Sequence, residues 1–213
     1  VGKTYPKATP AESDEFDSVD LGLQWQWHGN PNALWYFCDA AASQLRLFSH
    51  YTPDMKSLYD VPNLLLQKLP TENFTATTKV KFVPRKNKGK TVEGERAGLV
   101  VMGLDYAVLA LDSRSDGLYL VQADCKKADK GGLEKENAAI KLDSDELYLR
   151  VKFEQAGAKK PTQKGDYKCV CTFYYSLDGK KYEPVGKAFT AQVGKWIGAK
   201  VGLFCTRPWK SND

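Results

Sequence analysis

Along most of this chain apolar and polar positions alternate with a period of two, or run apolar for the length of a strand. Glu95 to Arg114 (ERAGLVVMGLDYAVLALDSR) holds two such stretches around Gly103, Leu104 and Asp105, which predicts a hairpin. GLYLVQADCK, ELYLRVKFE, YKCVCTFYYSLDG and GAKVGLFCT continue the pattern, rich in β-branched and aromatic residues and separated by turn formers such as Asp116-Gly117 and Asp178-Gly179. Helix signals are confined to Met55–Tyr59 and the acidic Leu133–Ala139, each able to hold a turn or two. About ten or more short strands with no strand–helix alternation predict an all-β fold, a two-sheet antiparallel β-sandwich.

The stretch LGLQWQWHGNP, Leu21 to Pro31, raises the first question of chemistry. A strand period puts Leu21, Leu23, Trp25 and Trp27 on one face and Gln24 and Gln26 on the other. Trp25 is therefore expected in the core. Trp27, His28 and Asn30 border a Pro-terminated turn, where an aromatic ring, an imidazole and an amide suit a pyranose and its hydroxyls. A turn capped by Asn30 and Pro31 over a buried Trp27 fits equally. By the same parity Gln122, Tyr148 and Arg150 oppose the apolar faces of their strands, and Arg96 precedes an apolar strand. With Gln24 and Gln26 they predict a polar face of neutral donors and acceptors for a polyol.

Composition narrows the classes. The 213 residues fit one domain, with residues 1–11, rich in proline, read as a tether and 12–213 as the sandwich. No apolar run approaches the ~18 residues needed to cross a membrane. A formal charge of +5 does not imply nucleic acid. The basic stretches PRKNKGK, CKKADKGG and AKKPTQKG read as solvated loop tips. Five cysteines leave at least one unpaired in a monomer, and Cys169 and Cys171, two apart on one strand, are poorly placed to bridge. Two histidines without ligand spacing argue against zinc. Val1 opens without a leader, as after removal of a signal peptide or excision from a longer chain.

TPAESDEFDSVDLGLQWQWHGNP, PNLLLQKLP with FTATTKV, GERAGLVVMGLDYAVLAL and the closing WIGAKVGLFCT, in this order, resemble the C-terminal concanavalin A-like β-sandwich of glycoside hydrolase family 43. That family includes β-xylosidases and α-arabinofuranosidases. The resemblance implies a jelly-roll module that follows a five-bladed catalytic β-propeller, packs on it and can shape the rim of its active site through a loop. It also implies a further closing strand with Asp and aromatic residues, where this sequence stops at RPWKSND, so the sandwich is expected either to lack its last strand or to leave an edge open.

Glycoside hydrolysis usually takes two convergent carboxyl groups, one with a raised pKa. The acidic stretches SDEFD and LDSDELY instead fall at the tether boundary and in a turn, and neither an ExDxxE-type strand nor a GxSxG elbow is present. No catalytic residue is therefore expected in this chain. The leading expectation is a non-catalytic accessory module of a xylan- or arabinoxylan-acting enzyme. Its partners would be the parent's catalytic propeller and plant cell-wall type oligo- or polysaccharide, with no nucleic acid or membrane. An autonomous concanavalin-like glycosidase or lyase, and a protein-interaction sandwich, are the alternatives. No cofactor is required, although related folds often hold a structural calcium, for which Glu12, Asp14 and Asp17 offer hard oxygen ligands. A polysaccharide substrate suggests a periplasmic or secreted protein.

Overall fold

A computed structural model describes residues 2–3, 11–157 and 167–210. The expected tether lies almost wholly outside these residues, as does the basic stretch AKKPTQKG. In chain order the strands are β1 (Gln26–Trp27), β2 (Tyr36–Asp39), β3 (Gln44–Leu47), β4 (His50–Tyr51), β5 (Leu65–Lys68) and β6 (Phe74–Lys81). After them come β7 (Lys86–Asn87), β8 (Lys90–Thr91), β9 (Arg96–Met102), β10 (Tyr106–Arg114), β11 (Gly117–Cys125) and β12 (Glu134–Leu142). The series closes with β13 (Glu146–Gly157), β14 (Tyr167–Ser176), β15 (Glu183–Pro184), β16 (Phe189–Ala191) and β17 (Lys200–Arg207). Short 3-10 turns occur at Ala33–Trp35, Leu58–Asp60 and Ala128–Lys130.

Two sheets form the sandwich. The larger runs β1-β5-β17-β9-β10-β11-β12, with β4 parallel to β17, and the smaller runs β15-β14-β13-β6, with β16 also on β14. Leu99, Val101, Leu109, Leu111 and Leu120 of the larger sheet meet Leu147, Leu149, Val151, Phe153 and Phe173 of the smaller. A second core lies on the other side of the larger sheet, where Leu58, Val61 and Leu64 cover Val100, Val108, Val121 and Phe204. Strands β9 and β10 are thus covered on both faces, which is why their sequence runs apolar without alternation, whereas β13, covered on one face, alternates.

The hairpin expected at Glu95–Arg114 is present, with Tyr106 opposite Met102. Leu133–Ala139 is not helical: Glu134 onward forms β12, its Ala139 and Ile140 paired with Val121 and Leu120. Cross-strand pairing outweighs the helix propensity of its Glu and Ala residues. The alternating strand expected from Leu21 shrinks to Gln26–Trp27, because Trp25 N–H donates to the Gly22 carbonyl at 3.1 Å and closes a turn. Leu23 is consequently fully exposed, and Trp25 is half-buried rather than in the core. Its indole N–H donates to Asp14 at 2.7 Å and its ring stacks on Phe16 at 5.8 Å. All five cysteines are free. No helix among the described residues is long and apolar enough to cross a membrane.

Candidate functional site

Past the end of β1 the chain is stitched to the segment that enters β5. His28 N–H donates to the Leu64 carbonyl at 2.9 Å and Gly29 N–H to the Pro62 carbonyl at 2.8 Å. A Cβ at Gly29 would sit 2.6 Å from that of Pro62, so this approach needs glycine. The bonds aim the His28 ring at Tyr59, edge to face at 5.7 Å, with Nε2 3.1 Å from the Tyr59 carbonyl. A bond to that carbonyl requires the tautomer that carries its proton on Nε2.

Opposite them stands the loop of residues 192–199, between β16 and β17. Leu104 N–H holds the Val193 carbonyl at 3.0 Å, and a Cβ at Gly103 would run into the Gln192 carbonyl. His28, Tyr59, Met102, Gly103, Lys200 and residues 194–198 together enclose a cleft of 280 Å³. Trp196 is 88% exposed and Ile197 48% exposed at its mouth. The lining offers aromatic faces, an imidazole and ammonium groups, with no carboxylate. It suits stacking and hydroxyl recognition, and it lacks an acid–base pair. Gly103→Ala should push this loop outward, costing about 1–3 kcal/mol by overpacking. Urea melts check the stability, and a fall in protease resistance of the loop checks the displacement.

Burial, together with the Lys200 ammonium, holds His28 below its ordinary pKa of 6.5, against the raising effect of the Tyr59 carbonyl. His50 is lowered as well, by burial first and then by Arg207. A histidine with a depressed folded pKa binds its proton more readily when unfolded. Its contribution to stability is therefore complete above about pH 6.5 and declines as the pH falls toward and below the folded value. Melting temperature should accordingly fall on acidification through this window, and His28→Gln should remove part of the slope. An unchanged slope in His28→Gln would assign the acid sensitivity elsewhere.

The structure does not bring the other sequence candidates onto one face. Gln26, opposite Leu66, lies on the outer side of the larger sheet. Gln24 sits in the turn before it, its amide donating to Asp14 at 3.2 Å. Trp27 is half-buried, packed on Trp35 and Tyr36 with both centroids at 5.3 Å. Asn30 is exposed, and the cap of the following 3-10 turn is Asn32, whose side chain accepts from Leu34 N–H at 2.9 Å. Tyr148 and Arg150 lie on the opposite side of the molecule, on the outer face of the smaller sheet, where Arg150 donates to Thr77 at 2.9 Å and covers the Tyr182 ring.

Gln122 is no surface residue: it is fully buried between the sheets, donating to the Ala123 carbonyl at 3.2 Å and accepting from Lys187 N–H at 3.0 Å. Parity along a strand separates two faces, but it does not say which face meets the core when both are covered. Arg96 does lie on the outer face of the larger sheet, yet it is ion-paired with Glu134 at 2.8 Å, and the Tyr106 hydroxyl donates to the same carboxylate at 2.8 Å. Sequence reasoning missed Tyr59, Trp196 and Lys200. Gly194 and Gly198 flanking the Trp-Ile pair were the available loop signal, hidden by an apolar run that reads as the start of β17.

Among the described residues carboxylates elsewhere are exposed, hydrogen-bonded or held in ion pairs. Glu146 pairs with Lys79 at 2.6 Å, while Asp143 and Asp145 are exposed. Burial pushes Asp112 upward, but Arg114 lies between it and Glu136, at 3.4 and 2.5 Å, so these acids form an ion-pair cluster. Among the described residues no group of three or more His, Cys, Asp or Glu is arranged to hold a metal. Asp14, expected as a calcium ligand with Glu12 and Asp17, accepts from Phe16 N–H, Gln24 and Trp25.

The family model described as the β-xylosidase C-terminal concanavalin A-like domain matches residues 13–213. A relative from Xylanibacter ruminicola is 30% identical over 193 residues, covering 89% of this chain and 30% of the relative. One from Formosa agariphila is 24% identical over 221 residues, covering 94% and 33%. Both relatives carry β-xylosidase names, and the chain spans about a third of their length. Among solved structures, the GH43 protein BlXynB of Bacillus licheniformis superposes with a TM-score of 0.73 at 22% identity, over 98% of this chain and 38% of that one.

Proposed function

The chain belongs to the family of β-xylosidase C-terminal concanavalin A-like domains, and we propose that it acts as a non-catalytic module of a family 43 glycoside hydrolase that degrades xylan- or arabinoxylan-type polysaccharide. In this reading the 192–199 loop presents Trp196 beside His28 to the glycan, at the rim of the catalytic propeller of the same parent protein. The observation that carries it is the cleft itself: an exposed Trp196 and a held imidazole face a cavity whose lining contains no carboxylate. Aromatic stacking and hydroxyl bonding are available there, and acid–base cleavage is not. The β-xylosidase names of the relatives support the substrate class. The reading needs no cofactor, and a polymeric substrate favours a periplasmic or secreted protein.

The experiment is a pair of assays on this chain: release of reducing sugar from xylan and arabinoxylan, and retardation of the chain in gels containing the same polymers. Retardation without release is expected. Release of reducing sugar by the chain, above that of a heat-denatured sample, would overturn the non-catalytic reading.

A further inference from the structure

We propose that the cleft recognises a glycan bearing a carboxylate, as a uronic-acid substituent does, through Lys200 and its neighbours Lys68 and Lys195; the inference rests on the sugar-facing role proposed above. The His28 cleft meets a larger one of 620 Å³ that includes Lys68, Glu72 and Lys168, and Ile197, Gly198 and Lys200 line both. The two linings hold four lysines against the single carboxylate of Glu72. None of these lysines has a carboxylate within ion-pair distance among the described residues. Three lysines on other strands are paired instead: Lys79 with Glu146 at 2.6 Å, Lys141 with Asp116 at 2.8 Å and Lys152 with Glu154 at 2.8 Å.

Register makes the imbalance more than a matter of counting. Lys200 of β17 lies directly opposite Lys68 of β5. Like charges at facing positions of antiparallel neighbours disfavour the fold. Burial, and then the Lys68 charge, depress the pKa of Lys200, so its ammonium carries an uncompensated electrostatic cost. The positive potential also reaches the His28 imidazole, which Lys200 pushes further toward neutrality. A carboxylate seated over this pair would relieve the repulsion, while Trp196 offers its face to the sugar ring that carries the acid. A neutral glycan has the stacking contact but nothing to set against the lysines.

Calorimetric titration of this chain with two xylo-oligosaccharides of equal length, one neutral and one bearing a single glucuronic acid, tests the inference. The acidic ligand should bind about tenfold more tightly at low salt, and the preference should shrink as salt rises. Lys200→Gln and Lys68→Gln should each remove most of the preference, and Lys152→Gln, on the far sheet, should leave it intact. Equal affinity for the two ligands would overturn the inference while the sugar-facing role stood, leaving the lysines to meet carboxylates of a partner domain. A preference unaffected by the Lys200 and Lys68 variants would overturn it too. Binding of neither ligand would remove the sugar-facing role and the inference with it.

Discussion

Phe153→Ala should destabilise the sandwich by about 3–5 kcal/mol, while Trp25→Ala costs about 1–2 kcal/mol. Phe153 is 1% exposed, lies between Phe74 and Cys171 in the register of the smaller sheet, and stacks on the Phe74 ring at 4.2 Å. Truncation leaves a cavity where both sheets meet, and neither sheet can close it without shifting strand register. Trp25 is the bulkier residue, but it is half-buried at the chain's entry to the larger sheet. Its loss forfeits one hydrogen bond to Asp14 and a stack on Phe16. For a domain of this size the Phe153 variant should melt about 6–20 °C lower, a large share of a typical stability. Urea melts of the two variants check the ranking, and a larger loss for Trp25→Ala would contradict the burial described here.

That contrast marks what could be read from the residues alone. The all-β architecture and the β9–β10 hairpin were legible, since alternation and turn formers act within a few residues. The family resemblance was legible in the motifs, and it is borne out by the match over residues 13–213. The faces were not. Leu21 to Trp27 alternates like a strand, but the turn at Gly22–Trp25 breaks the period, and no local signal marks Leu23 as exposed. Gln122 reads as a surface glutamine, yet the segment around Gly186 folds over it and supplies the Lys187 donor from 65 residues away. Such contacts depend on which distant segment covers a sheet. The cleft was hidden for the same reason: His28 was visible as a candidate, whereas Tyr59 comes from a second part of the chain and Trp196 and Lys200 from a third.

Trp196→Ala should leave the melting temperature within about 1 °C, since an exposed side chain contributes little to folding, and should weaken glycan binding about thirtyfold. At 88% exposure the ring has few intramolecular contacts to lose. Its position between Gly194 and Gly198 gives it no packed support, so its use is external. Trp196→Phe should restore part of the affinity, because a smaller ring still stacks. A large loss of melting temperature with unchanged binding would make Trp196 a structural residue.

The most direct test of the account is a nuclear magnetic resonance titration of this chain with a xylo-oligosaccharide, following the indole N–H signals together with the anomeric protons of the sugar. The chain has five tryptophans. A saturable shift of the Trp196 indole is expected, assigned from its absence in Trp196→Phe, with the other indoles unmoved and the anomeric signals constant over days. A saturable shift at another tryptophan with Trp196 unmoved, or the appearance of new reducing-end signals, would contradict it.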